Sequence, residues 1–128
     1  MRLGTLLDKV VGPGSAQKGT GHWWRQRLTA IALVPLGLWF MISLAAAGDL
    51  GYGSTVAWLA RPLNAVLLSA FVLTLLYHSK LGVQVVIEDY VSSPRLQAGG
   101  LWSSLFIHLL LAMAGVIAIL RISVGGFS

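Results

Sequence analysis

Read as a helix, one stretch of this sequence lines up Asn64, His78, Gly82 and Asp89 in a stripe, with Tyr90 beside the last of them. At 3.6 residues per turn, His78 and Asp89 are about 20° apart around the axis, and Asn64 and Gly82 each lie about 40° from His78. Lys80 points to the other side. A neutral imidazole can coordinate iron, and a glycine one turn later lets a flat macrocycle such as a haem lie close to the backbone. The same imidazole could instead hydrogen-bond a neighbouring helix. Asp89 and Tyr90 pair a carboxylate with a phenol; the plainer reading is a helix end at a membrane surface.

What positions this stripe follows from composition. Of 128 residues, 56% are hydrophobic and 10% are charged, where a soluble domain carries roughly 25% charged residues. Polar side chains are too few to cover such a chain in water, so an integral membrane protein is expected. The net charge of +5 is not a nucleic-acid footprint, because five of the nine Lys/Arg residues (Arg2, Lys9, Lys18, Arg25, Arg27) precede the first apolar run. That is the asymmetry of a cytoplasmic flank. With no cysteine, a redox centre here must use histidine or methionine; Met41 and Met113 read as packing residues.

The expected fold is all-α: a basic cytoplasmic tail over 1–22, then a membrane domain over 23–128 with three spans, about 26–47, 62–91 and 101–121. The apolar run 28–47 is longer than that of a secretory leader and matches a hydrocarbon core of roughly 30 Å. Pro35 is expected to kink this helix. Gly48–Thr55 reads as a loop. Arg61-Pro62 is a good helix start, and Ser92–Pro94 reads as the stop of the second span. Ser103 and Ser104 are expected to cap the third helix. Three spans place the amino terminus inside and the carboxyl terminus outside. At the inner end of the first span, His22, Arg25 and Arg27 with Trp23 and Trp24 form an interfacial cluster. His108 in the third span is the rival iron ligand, and hydrogen bonding within the bundle is its expected role.

His-x3-Gly-x6-Asp-Tyr, written here as "HSKLGVQVVIEDYV", resembles the small hydrophobic membrane-anchor subunit of succinate dehydrogenase, respiratory complex II. "HWWRQRLTAI" at His22–Ile31 is similar to the start of that family's first span. The resemblance implies a subunit with no catalytic residue of its own, holding a flavoprotein and an iron–sulfur subunit at the membrane for electron transport and the tricarboxylic acid cycle. It implies one haem b shared with a second anchor subunit, each supplying one axial histidine, here His78. It implies that Tyr90 hydrogen-bonds ubiquinone with Asp89 beside it, and that Arg27 and His22 approach the haem propionates.

Three rivals remain at this stage: a fumarate reductase-type anchor, a small transporter, and a structural membrane subunit. A transporter needs a carboxylate in mid-span, whereas Glu88 and Asp89 stand near a helix end. The absence of an Arg/Ser-rich transit peptide points to a bacterial inner membrane rather than a mitochondrial one. Lys80, two residues from His78, has no role in this reading.

Overall fold

The computed structural model describes residues 15–125. Residues 1–14, with the tail charges Arg2 and Lys9, and residues 126–128 lie outside that range, as do both termini. The chain is helical: α1 (Ser15–Ala46), α2 (Tyr52–Leu59), α3 (Pro62–Tyr90) and α4 (Pro94–Ser123), with no strand among the described residues. α1, from Thr20, α3 and α4 are each long and apolar enough to cross a membrane.

The helix boundaries are set largely by proline. Arg61 and Ser93 are extended, with ψ of 121° at each, and Pro62 and Pro94 open the helices that follow. A proline pushes the preceding residue out of the helical region, while its own missing N–H costs nothing in the first turn. Ser92–Pro94 therefore ends α3 and begins α4 with only three residues between. This corrects the expected third span, whose helix begins seven residues before Leu101. Ser103 and Ser104 consequently lie inside α4 rather than capping it. α1 likewise reaches back to Ser15, into the segment read as tail, and runs on through Pro35. The expected loop Gly48–Thr55 is loop only to Gly51, and α2 begins at Tyr52. There Asp49 accepts hydrogen bonds from the Ser54 hydroxyl, 2.6 Å, and the Gly51 N–H, 2.9 Å. These bonds hold its carboxyl below the usual range, the serine contributing most.

α3 is the centre of the molecule. It packs against α1 on one side and α4 on the other, while the backbones of α1 and α4 do not come within 8 Å of each other among the described residues. Small residues bring the backbones together. A Cβ at Gly115 of α4 would come within 3.2 Å of Val72, and one at Gly100 within 3.4 Å of Ile87. On the other side, Phe40 and Phe71 meet at 5.3 Å between ring centres. α2 closes one end, where Trp58 stacks on Trp39 at 5.5 Å and the Asn64 side chain donates to the Trp58 carbonyl at 2.9 Å. Leu59, Ala65 and Ile119 are buried there. Elsewhere most large apolar side chains are exposed, with Leu81 at 1% the exception on α3. A layer of three helices cannot bury its two broad faces, and in a membrane those faces meet lipid or another subunit.

Candidate functional site

His78 lies on the side of α3 that faces α1, half-buried, with its Nδ1 2.8 Å from the Thr29 hydroxyl. The same hydroxyl oxygen lies 2.8 Å from the Arg25 carbonyl and 3.0 Å from the Gln26 carbonyl. A hydroxyl has one hydrogen. Two carbonyl oxygens at such distances require that hydrogen between them and the hydroxyl, since bare oxygens would repel. Thr29 therefore donates back along its own helix and accepts from the His78 Nδ1–H. This leaves Nε2 as the unprotonated nitrogen, with no hydrogen bond to any described residue.

His108 shows the contrast. Its Nδ1–H donates to the Ser104 carbonyl at 2.7 Å, and its Nε2 accepts from the Ser79 hydroxyl at 3.3 Å. Both ring nitrogens are occupied by the α3–α4 seam, the bundle role expected from sequence. Ser79 stands next to His78 yet serves the opposite side of α3, so this helix offers a histidine to Thr29 of α1 and a serine to His108 of α4.

Gly82, one turn beyond His78, has open space around it: a Cβ there would meet nothing within 4 Å. Glycine inside a helix is destabilising by about 1 kcal/mol relative to alanine. Gly115 and Gly100 are explained by close approach within the chain, and Gly82 is not. This open face next to an unengaged imidazole nitrogen fits a flat group bound from outside. Among the described residues no three His, Cys, Asp or Glu side chains cluster, so a metal held at His78 takes its other ligands from a macrocycle or another chain.

His22 is seven residues before Thr29, about 20° away around α1 and about 10 Å along it. It is half-buried, and its Nε2 is buried without a hydrogen-bond partner among the described residues. Such a group costs about 1–3 kcal/mol if left alone, which marks it for a partner outside this set. Arg27 is placed differently: it is exposed, with its guanidinium 5.1 Å from the centre of the Trp23 ring. Of the two residues expected near the propionates, only His22 shares a helix face with Thr29. Lys80 lines a small hollow with Gln84, Leu101, Trp102, Ser104 and Leu105 on the α4 side.

The far end of the stripe is the last turn of α3. Asp89 and Tyr90 are exposed, the tyrosine at 83%, and neither bonds to another described side chain. What holds this turn comes from α4, where Gln97 donates to the Glu88 carbonyl at 3.2 Å, while Gln84 donates to the Glu88 carboxylate at 2.8 Å. Tyr90 is twelve residues from His78, about 18 Å along the axis, so the two ends of the stripe stand far apart. Asn64 belongs to neither, being taken up at the α2–α3 corner. Thr29 and Gln97 were not singled out from sequence. Thr29 finds its partner 49 positions away, and an isolated threonine in an apolar run gives no signal of that.

The fold defines a class: a three-span, all-helical membrane protein. The chain belongs to the succinate dehydrogenase/fumarate reductase transmembrane subunit family, whose model matches residues 1–119. It is 33% identical to the succinate dehydrogenase hydrophobic membrane anchor subunit of Paracoccus denitrificans over 98% of this chain and 96% of that one. It is 42% identical to the subunit of the same name from Rickettsia bellii, over 71% of this chain and 73% of the relative. A succinate dehydrogenase membrane anchor subunit from Reclinomonas americana is 33% identical over 70% and 78% of the two chains. No solved structure gives a significant match. The apolar helices and the bacterial anchor relatives make this a multi-pass bacterial membrane protein.

Proposed function

We propose that this chain anchors a succinate:quinone oxidoreductase in the bacterial inner membrane, with the amino terminus cytoplasmic. In this reading His78 would hold the iron of a haem b shared with a second anchor subunit, and Tyr90 with Asp89 would bind ubiquinone. The observation that carries the reading is the His78 ring, whose Nδ1–H is engaged by Thr29 while Nε2 has no hydrogen bond to a described residue, with open space at Gly82 one turn further along α3. Flavoprotein and iron–sulfur subunits dock at the inner surface, where Tyr90 stands.

Haem b, when bound, supplies an iron that takes up and returns single electrons. This chain's part is to offer the Nε2 lone pair, to keep Gly82 from obstructing the ring, and to present His22 to a propionate. Arg27, stacked on Trp23, contributes positive charge to the same inner end. At the second site the Tyr90 hydroxyl donates a hydrogen bond to a quinone carbonyl oxygen as charge develops there. The Asp89 carboxylate, exposed one residue away, can accept a hydrogen bond from water beside that oxygen. Succinate itself is oxidised in the flavoprotein, so no residue here binds it.

The deciding measurement is a reduced-minus-oxidised spectrum of the assembled complex. The wild type gives a b-type band, and His78→Ala weakens or removes it, because alanine offers iron no donor. An unchanged band in that variant would sink the ligand assignment. A haem-free fumarate reductase-type anchor, a transporter or a scaffold gives no band from the start.

A further inference from the structure

We propose that Thr29 of α1 is a positioning residue for His78, fixing the ring in the tautomer whose Nε2 carries the lone pair and making that nitrogen a stronger donor to iron. The inference deepens the haem reading of His78 and rests on it.

The argument starts from the three short contacts of one oxygen. The Thr29 hydroxyl lies 2.8 Å from the Arg25 carbonyl, 3.0 Å from the Gln26 carbonyl and 2.8 Å from the His78 Nδ1. Carbonyl oxygens only accept, so the single hydroxyl hydrogen is committed to them, and the contact with Nδ1 is satisfied only by Nδ1–H. In the opposite tautomer the Nε2 would carry the hydrogen and could not bind a metal. The backbone of α1 thus dictates, through one hydroxyl, which nitrogen of a ring on α3 is available.

A second effect follows from the same bond. An N–H that donates to a neighbour pushes electron density back into the imidazole and raises the basicity of the other nitrogen. A more basic ligand favours the ferric state and lowers the haem midpoint potential. The bond also ties the ring plane to α1, so the helix–helix register at the α1–α3 seam sets the direction in which the lone pair points. His108 is held differently: its Nδ1–H goes to a carbonyl of its own helix, and Ser79 already occupies Nε2. Only at His78 does an interhelical bond fix the ring and leave the other nitrogen free.

The test uses the assembled complex in membranes, with haem midpoint potential and haem retention in detergent as readouts. Thr29→Val keeps the shape and deletes the hydroxyl. It should move the midpoint potential in the positive direction and weaken haem retention by about 10- to 100-fold. Thr29→Ser, which restores the hydroxyl, should return both toward wild type. If the valine variant does not assemble, Thr29→Ser against Thr29→Ala reads the same quantity, since both lack the methyl group and only serine keeps the oxygen. Equal potentials in the serine and alanine variants, or a valine variant indistinguishable from wild type, overturn the proposal. His78→Ala runs in parallel: a haem unchanged by that substitution removes the ligand reading and the role of Thr29 together. A haem lost with His78→Ala but indifferent to the Thr29 hydroxyl removes only the latter.

Discussion

At the scale of single residues, two substitutions separate the two ends of the stripe. Tyr90→Phe keeps the ring and deletes the hydroxyl. Loss of a hydrogen bond to a developing charge, about 1.5–3 kcal/mol, lowers quinone reduction roughly ten- to a hundredfold. The haem spectrum should not change, since the two residues are about 18 Å apart along α3, and succinate oxidation with a soluble dye should persist. Normal ubiquinone reduction in this variant would remove the tyrosine from the mechanism. Gly82→Leu probes the other end. A Cβ there meets nothing within 4 Å among the described residues, and leucine is a better helix former than glycine. The subunit should therefore accumulate in the membrane while the complex loses its haem. Haem at wild-type occupancy would show that the space over Gly82 is not used.

At the scale of elements, the sequence reveals the membrane-crossing parts and misplaces the helix ends. Apolarity marks where a helix sits in lipid, not where it starts. The first turns of α4 carry Arg95, Gln97, Gly99 and Gly100, too polar to join the run at Leu101, yet Pro94 starts the helix regardless. α2 was hidden by Gly53, by Gly51 just before it and by its eight-residue length. The stripe His78–Gly82–Asp89 was legible because it depends only on the period of one helix. Thr29 and Gln97 were not, because their roles depend on a second helix. Gln97 yields a prediction of its own. Gln97→Ala removes a bond to the Glu88 carbonyl, worth about 1 kcal/mol, and loosens the turn that carries Asp89 and Tyr90. The expected result is a raised KM for quinone with an unaltered haem band; a changed haem band with normal quinone kinetics would contradict it. At the opposite corner, Asp49 has its carboxyl held below the usual range by Ser54 and Gly51. A lowered folded-state value means that its contribution is full above the ordinary 3.8 and is lost as pH falls through the folded-state value. Hydrogen exchange of α2 amides should accelerate only under such acid conditions, relative to the intrinsic rate, and the Asp49→Ala chain should show no such step.

At the scale of the whole molecule, three spans predict that the two termini lie on opposite sides of the membrane. A reporter before Met1 should be accessible from the cytoplasm and one after Ser128 from outside; two ends on one side would remove the three-span arrangement. The ligand role proposed for His78 has a further result. Purified alone, the subunit should not retain a six-coordinate haem, because His108 is engaged by Ser104 and Ser79. A six-coordinate spectrum from the isolated subunit would require a second ligand from this same chain.

The central place of α3 also bears on how the protein is made. Synthesis delivers α1 to the bilayer first, and Thr29 has no partner on another helix until α3 emerges, because its hydroxyl meets only its own helix and His78. A polar side chain stranded in lipid would disfavour that wait. Thr29 avoids the difficulty, since its hydroxyl hydrogen is already bonded to the backbone of its own turn. The arrival of His78 asks only for a lone pair that was idle. The group that sets the histidine in place is thus one that biogenesis can tolerate before the histidine exists.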